Sequence, residues 1–255
     1  MTSPYFDLSE KTAIITGGSK GLGEQMAYAL AEAGAEVALV SRTQADLNAV
    51  SAAIHAATGR RVIGVAADVT KDTEIQAMVQ AVMAEFGQID ILVNNAGIGG
   101  TTPVHDLSEE EWDRFMNLNL KGPVLCSKHV GVEMAKRKQG NIINVSSLFS
   151  KIVARYMAAY GATKAALVSF TRTLALEWAR DNIRVNALCP GYFDTPMNHE
   201  FWETKGGKGI IGKIPMQRVG DPKELKPAII FLASDANTFM TGTTLFVDGG
   251  HSLVG

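Results

Sequence analysis

Cysteine is scarce. Cys126 and Cys189 are the only two in 255 residues, and they lie far apart. That excludes a disulfide-stapled scaffold and makes a reducing, cytoplasmic compartment the expectation. No stretch approaches the ~18 consecutive apolar residues of a membrane-spanning helix. Excess positive charge is missing as well: 24 Lys and Arg stand against 26 Asp and Glu, for a net charge of -2. Phosphate backbones and anionic bilayers need a basic face, so neither nucleic acid nor membrane is an expected partner. The opening MTSPYFDLSEK carries acids and no apolar run, so no secretory leader is expected. What is present is an ordinary globular balance, 46% hydrophobic and 20% charged, in a chain long enough to bury a sizeable core.

Short β-branched runs alternate with helical patterns. Strands are expected at 12–16 (TAIIT), 36–41 (EVALVS), 61–68 (RVIGVAAD), 89–97 (IDILVNNAG), 141–147 (NIINVSS), 183–191 (IRVNALCPG) and 244–250 (TLFVDGG). Helical patterns lie between them, with long ones over about 108–138 and 156–180. A last helix is expected over 221–235, with Pro222 at its start. Residues 192–220 read as irregular. Such alternation implies parallel βαβ units, and near-continuous apolar strands suit a sheet covered on both faces. The expectation is one α/β domain over 1–255: a doubly wound sheet of about seven parallel strands. Its ligands then belong at the carboxyl ends of the strands. TGGSKGLG, Asp68, NNAG, Ser146-Ser147 and Pro190-Gly191 all follow strands and so meet on one edge.

TGGSKGLG (16–23) joins the first strand to the first helix. Glycines there allow a tight turn and close approach of a pyrophosphate to a helix N-terminus. The run is neither a strict G-x-G-x-x-G nor a G-K-[ST] phosphate loop, and by itself it also reads as a plain βα turn. Its spacing, Gly17-x-x-x-Gly21-x-Gly23, resembles the cofactor loop of the short-chain dehydrogenase/reductase family. Further motifs of that family follow in order: Asp68 after the third strand, NNAG at 94–97, Asn119 in NLNLKG, Ser147, Tyr160-x-x-x-Lys164, Pro190-Gly191 with Thr195, and VDGG. Within the family the chain is most similar to the 3-oxoacyl-carrier-protein reductase and gluconate 5-dehydrogenase group.

The resemblance implies a Rossmann-type fold, a nicotinamide cofactor, alcohol–ketone interconversion and a homotetramer. It also implies the contacts. Gly17, Ser19, Lys20, Gly21, Leu22 and Gly23 would face the phosphates, and Asp68 and Val69 the adenine. Asn95, Ala96, Gly97, Pro190, Gly191, Phe193 and Thr195 would line the cofactor further along, with Tyr160 and Lys164 at its nicotinamide end. Asn119, Ser147, Tyr160 and Lys164 form the implied catalytic set.

The chemistry explains why such groups are needed. Hydride transfer to a carbonyl also moves a proton, and the carrier works best with a pKa near the working pH. Free tyrosine titrates near ~10, and a nearby cation lowers that value. Lys164 lies four residues after Tyr160, on the same helical face. Tyr160 is therefore the expected general acid/base, Lys164 its tuning cation and ribose ligand. Ser147 is the donor to the substrate oxygen, and Asn119 the holder of a water that relays protons. Tyr156 also stands four residues before Tyr160 but has no lysine of its own, so packing or substrate lining is expected of it.

The second strand ends Ser41-Arg42-Thr43, with no acid to bind a ribose hydroxyl or repel a phosphate. Arg42, with Lys20, would hold a 2′-phosphate, so NADP is expected over NAD. In 192–220, Phe193, Met197, Phe201 and Trp202 offer apolar contact to a small-molecule substrate. His199, Lys205, Lys208 and Lys213 would meet polar groups. No metal is expected, since His105, His129 and His199 lack partner ligands at useful spacing. A sugar acid is the expected substrate, with an oxoacyl thioester as the alternative. A nucleotide sensor without turnover and a methyltransferase remain competing classes, and neither accounts for the Tyr–Lys pair.

Overall fold

Seven strands pair side by side, all parallel, in the computed structural model, which describes residues 4–195 and 198–254. They are β1 (Thr12–Thr16), β2 (Glu36–Ser41), β3 (Val62–Ala66), β4 (Ile91–Asn94), β5 (Gly140–Val145), β6 (Ile183–Pro190) and β7 (Thr244–Val247). Their spatial order is β3-β2-β1-β4-β5-β6-β7. Every residue of β1, β4 and β5 is buried, as expected where both faces of a sheet are covered. Successive side chains point to opposite faces. Ile15 accordingly joins Met26, Leu30 and Leu232 in one core layer, while its neighbour Ile14 joins Met78, Val130 and Leu174 in the other.

The first layer is supplied by α1 (Gly21–Glu32), α2 (Gln44–Thr58) and α9 (Lys226–Ala233). The second comes from α3 (Asp72–Phe86), α5 (Gly122–Arg137) and α6 (Ala158–Trp178). Strand order reverses between β1 and β4, which places a crevice at their carboxyl ends.

Four differences from the sequence reading matter. The 108–138 helix is α4 (Glu109–Met116), a π turn over Asn117–Lys121, and α5. Helix α6 begins at Ala158, because Tyr156 has φ of 68°, a left-handed conformation that a bulky side chain rarely adopts and no helix contains. The i to i+4 pairing of Tyr156 with Tyr160 on one helix is therefore corrected. Residues 192–220 hold two short helices, α7 (His199–Glu203) and α8 (Lys205–Ile211). The three glycines of KGGKGII hid α8 from a propensity argument, but Thr204 caps it by accepting a hydrogen bond from the Gly207 amide at 3.1 Å. The 221–235 helix opens as a 3₁₀ turn over Pro222–Leu225, held by an Asp221–Glu224 capping box. Met197 lies outside the described residues. No helix among those described is long and apolar enough to cross a membrane.

Candidate active site

The glycine turn and NNAG form one hydrogen-bonded unit. Asn95 donates from Nδ2 to the carbonyls of Thr16 (3.0 Å) and Gly17 (3.1 Å), and Thr16 Oγ1 accepts from the amides of Asn95 and Ala96, both at 3.0 Å. Two glycines are dictated by this contact. Gly17 has φ of +66°, and a Cβ there would lie 2.9 Å from Asn95 Nδ2; a Cβ on Gly23 would lie 2.2 Å from the Gly17 oxygen. Gly21 starts α1, and the space beside it is open. The amide end of a twelve-residue helix thus faces the crevice, where it favours an anion. Ser19 is half-buried and Lys20 exposed in this turn, and Leu22 lines the crevice.

Asn119 sits in the π turn and is fully buried. Its Oδ1 accepts from the Ile98 amide at 2.8 Å, and its Nδ2 donates to the Ile98 carbonyl at 2.9 Å and to Thr163 Oγ1 at 3.3 Å. The amide therefore clamps the backbone just past NNAG and ties it to α6. Single-turn π segments often occur where a helix must re-aim one side chain. A Cβ on Gly97 would come within 3.1 Å of Asn119 Oδ1 and 3.6 Å of Lys164 Nζ, so the missing side chain leaves room directly before both groups.

Ser147, Tyr160 and Lys164 close the crevice from β5 and α6, with Pro190 and Gly191 opposite; about 540 Å³ of free space lies among them. Ser147 Oγ accepts from the Phe149 amide at 3.2 Å, which leaves its own proton free to donate. Burial pushes the Tyr160 phenol above its ordinary pKa; a hydrogen bond with Ser147 opposes the shift, and the nearby Cys189 thiol adds to it. Lys164 is 4% exposed, its Nζ donates to the Val145 carbonyl at 2.9 Å, and burial draws its pKa down to about 8. Its ammonium lies 5.7 Å from the Tyr160 ring centroid. Burial therefore outweighs the expected tuning of the phenol by the lysine in the protein alone.

Just past β3 Asp68 accepts from Thr70 N and Oγ1, at 3.0 and 2.8 Å. Burial would raise its pKa, but those bonds, with Lys71 and Arg42 nearby, hold it below the ordinary value. Val69 is buried beside it. Ser41 Oγ is buried without a hydrogen-bond partner. Arg42 and Lys20 are both exposed, and neither has a carboxylate partner within ion-pair distance among the described residues. At the other end Thr195 donates to Asn198 Oδ1 from both N (2.7 Å) and Oγ1 (3.0 Å). Phe193 is 5% exposed and packs into the core over Gly220. In the 192–220 segment His199 Nδ1 pairs with Asp194 at 2.9 Å.

Three residues near the site escaped the sequence reading: Tyr192, Cys189 and His251. Tyr192 is the second phenol beside Tyr160; burial raises its pKa, and the nearby Tyr160 adds to the rise. The one sequence signal was its place directly after Pro190-Gly191 at a strand end.

A nicotinamide dinucleotide fits these residues. The orphaned Ser41 hydroxyl at the end of β2, the open helix end after β1 and the space before Gly97 after β4 follow one another along the sheet edge, and suit a ribose, a phosphate and a ring.

A protein-family model described as Enoyl-(Acyl carrier protein) reductase matches residues 17–252. The chain is 38% identical over 248 residues to an NAD-dependent glycerol dehydrogenase of Listeria innocua, covering 97% of this chain and 96% of that one. It is 39% identical over 249 residues to a 2-dehydro-3-deoxy-D-gluconate 5-dehydrogenase of Dickeya dadantii, covering 96% of each. A crystal structure of a gluconate 5-dehydrogenase from Burkholderia cenocepacia, in complex with NADP and tartrate, superimposes with a TM-score of 0.93 at 35% identity, covering 98% of both chains. Matched along nearly its whole length in sequence and in fold, this chain belongs to the short-chain dehydrogenase/reductase family of oxidoreductases.

Proposed function

We propose that the protein is an NADP-dependent oxidoreductase that interconverts a secondary alcohol and a ketone on a compact, oxygen-rich substrate of the sugar-acid or polyol type, with Tyr160 as the proton carrier. The observation that supports this best is the meeting of Ser147, Tyr160 and Lys164 in one crevice beside the glycine turn. The nicotinamide, when bound, supplies or accepts the hydride. The amide end of α1 would hold the pyrophosphate, Asp68 and Val69 the adenine, and Lys164 the nicotinamide ribose. Tyr160 gives its proton to the carbonyl oxygen in reduction and takes it back in oxidation. Ser147 donates a hydrogen bond to the same oxygen and stabilises charge that develops there. Asn119 fixes the Ile98 backbone and, through Thr163, the turn of α6 that carries Tyr160 and Lys164.

The relatives named above divide between NAD and NADP, so the preference for NADP rests on Ser41 and Arg42. Arg42→Ala is expected to lower kcat/KM for NADP by about 10- to 100-fold, the loss of one or two charge-assisted hydrogen bonds, with little change for NAD. A tenfold preference of the unaltered protein for NAD would overturn the NADP reading. Following the reduced cofactor's absorbance across polyols, sugar acids and oxoacyl thioesters tests the reaction itself. Tight cofactor binding with no turnover across that panel would favour a sensor.

Assembly is part of the same reading. Leu176 is 81% exposed on α6, and Phe239 is fully exposed ahead of β7. Large apolar side chains in such positions suit covered surfaces, and light scattering is expected to report a tetramer; a monomer at micromolar concentration would refute it.

A further inference from the structure

The residues that choose the substrate can be traced from a chain of rings. Phe149 meets the Tyr160 ring edge-on, with centroids 6.1 Å apart, and meets Tyr192 the same way at 6.1 Å. Tyr192 in turn touches Trp202 of α7 at 5.4 Å and His251, beyond β7, at 5.7 Å. Three separate parts of the chain thus converge on one phenol next to the proton carrier.

Two of these groups are incompletely satisfied. Trp202 is 6% exposed and His251 is 8% exposed, yet Trp202 Nε1 and His251 Nδ1 are buried without a hydrogen-bond partner. Buried polar atoms are almost always paired, and an unpaired one calls for an explanation. The obvious internal partner for His251 is Asp248, but that carboxylate is occupied by the amides of Gly250 (2.9 Å) and Ser252 (2.8 Å). Indole N–H only donates, so it needs an acceptor oxygen; a neutral imidazole pairs with a hydroxyl in either sense.

We propose that Tyr192, Trp202 and His251 form the substrate-selecting wall, and that it takes a polyol or sugar acid with one oxygen accepting from Trp202 Nε1 and another pairing with His251 Nδ1. This rests on the oxidoreductase reading above and deepens it. The rings supply flat apolar contact to the carbon skeleton, and the two nitrogens read oxygens away from the reacting carbon. A hydrocarbon chain would leave both nitrogens unpaired, and sites built to hydrogen-bond a substrate reject analogues that lack the partner more strongly than apolar pockets reject a missing methylene.

Trp202→Phe tests this, because it keeps the ring and removes the N–H. Turnover is compared on D-gluconate, a tetritol and cyclohexanol. The unaltered protein should prefer the first two, and the variant should lose about tenfold or more in kcat/KM on them through KM. Its kcat/KM for cyclohexanol should hold or rise, and its affinity for NADP(H) should be unchanged. An equal loss on all three substrates would mean that the indole only packs, and would overturn the proposal. So would an unaltered protein that turns over cyclohexanol or oxoacyl thioesters in preference to the polar probes, a result that leaves the oxidoreductase reading standing. No turnover on any carbinol or carbonyl compound would overturn both. If Trp202→Phe does not fold, His251→Leu carries the same comparison from a separate segment.

Discussion

Tyr160→Phe is expected to lower kcat by about 10³-fold, within the range that a positioned acid/base contributes, while NADP(H) still binds. The substitution removes one oxygen and leaves the Phe149 edge contact in place, so folding should be spared. Tyr156→Phe is the control. Tyr156 is 54% exposed, and its carbonyl accepts from the Thr102 amide at 2.9 Å. That variant should turn over near-normally. The pH profile separates the two further. Burial holds the Tyr160 phenol above its ordinary pKa, so it stays protonated through neutral pH. Reduction should therefore hold across that range and fall on the alkaline side, and oxidation should rise there. Loss of activity in Tyr156→Phe with retention in Tyr160→Phe would move the proton to a different oxygen.

Lys164→Met is expected to act in opposite directions on activity and stability. Activity should fall by about 10²-fold or more, because the cation next to Tyr160 is lost, and with it the proposed hold on the cofactor ribose. Stability at pH 7 should rise. The ammonium is buried with only the Val145 carbonyl as partner, and its pKa falls from 10.5 to about 8. A lysine with a depressed folded pKa binds its proton more weakly when folded than when unfolded. The burial penalty is therefore full below about pH 8 and is relieved as pH rises from there towards 10.5. That gap corresponds to on the order of 3 kcal/mol at most, and the lost hydrogen bond returns about 1 of it. Thermal unfolding without nucleotide should show Lys164→Met more stable at pH 7, with the advantage shrinking by pH 10. A destabilised variant whose deficit does not change with pH would contradict the account. The pattern would also identify Lys164 as a residue kept for chemistry at a cost to the fold.

The parts of this site legible in sequence are those set by local geometry. A tight βα turn needs Gly17 and Gly23, and the contact with Asn95 shows why. Tyr160 and Lys164 lie one helical turn apart, and α6 presents them together at the crevice. Strand ends collect loops on one edge in any doubly wound sheet, so Asp68, NNAG, Ser147 and Pro190-Gly191 could be brought together before any contact was known. The absence of an acid after β2 is likewise a statement about one position.

The rest depended on contacts between distant segments or on single backbone angles. Helical periodicity placed Tyr156 beside Tyr160, but one residue with positive φ removes it from the helix. The neighbouring phenol is Tyr192, from the far side of β6. Asn119 reads in sequence as the holder of a relay water; only the π turn shows that its amide also clamps Ile98. Lys164 looked like a tuning cation, and only its burial shows that the protein strains to keep it charged. Trp202 and His251 carry no motif at all, and their meeting around Tyr192 is decided by α7 and the segment after β7 folding over one sheet edge. By itself, then, the sequence determined the parallel sheet, the glycine turn and the spacing of Tyr160 and Lys164, because turn sterics and helical repeat act over a few residues. Which groups surround Tyr160 and Lys164, and at what cost in burial, was decided by tertiary structure alone, because desolvation and ring contacts arise between segments that no local spacing relates.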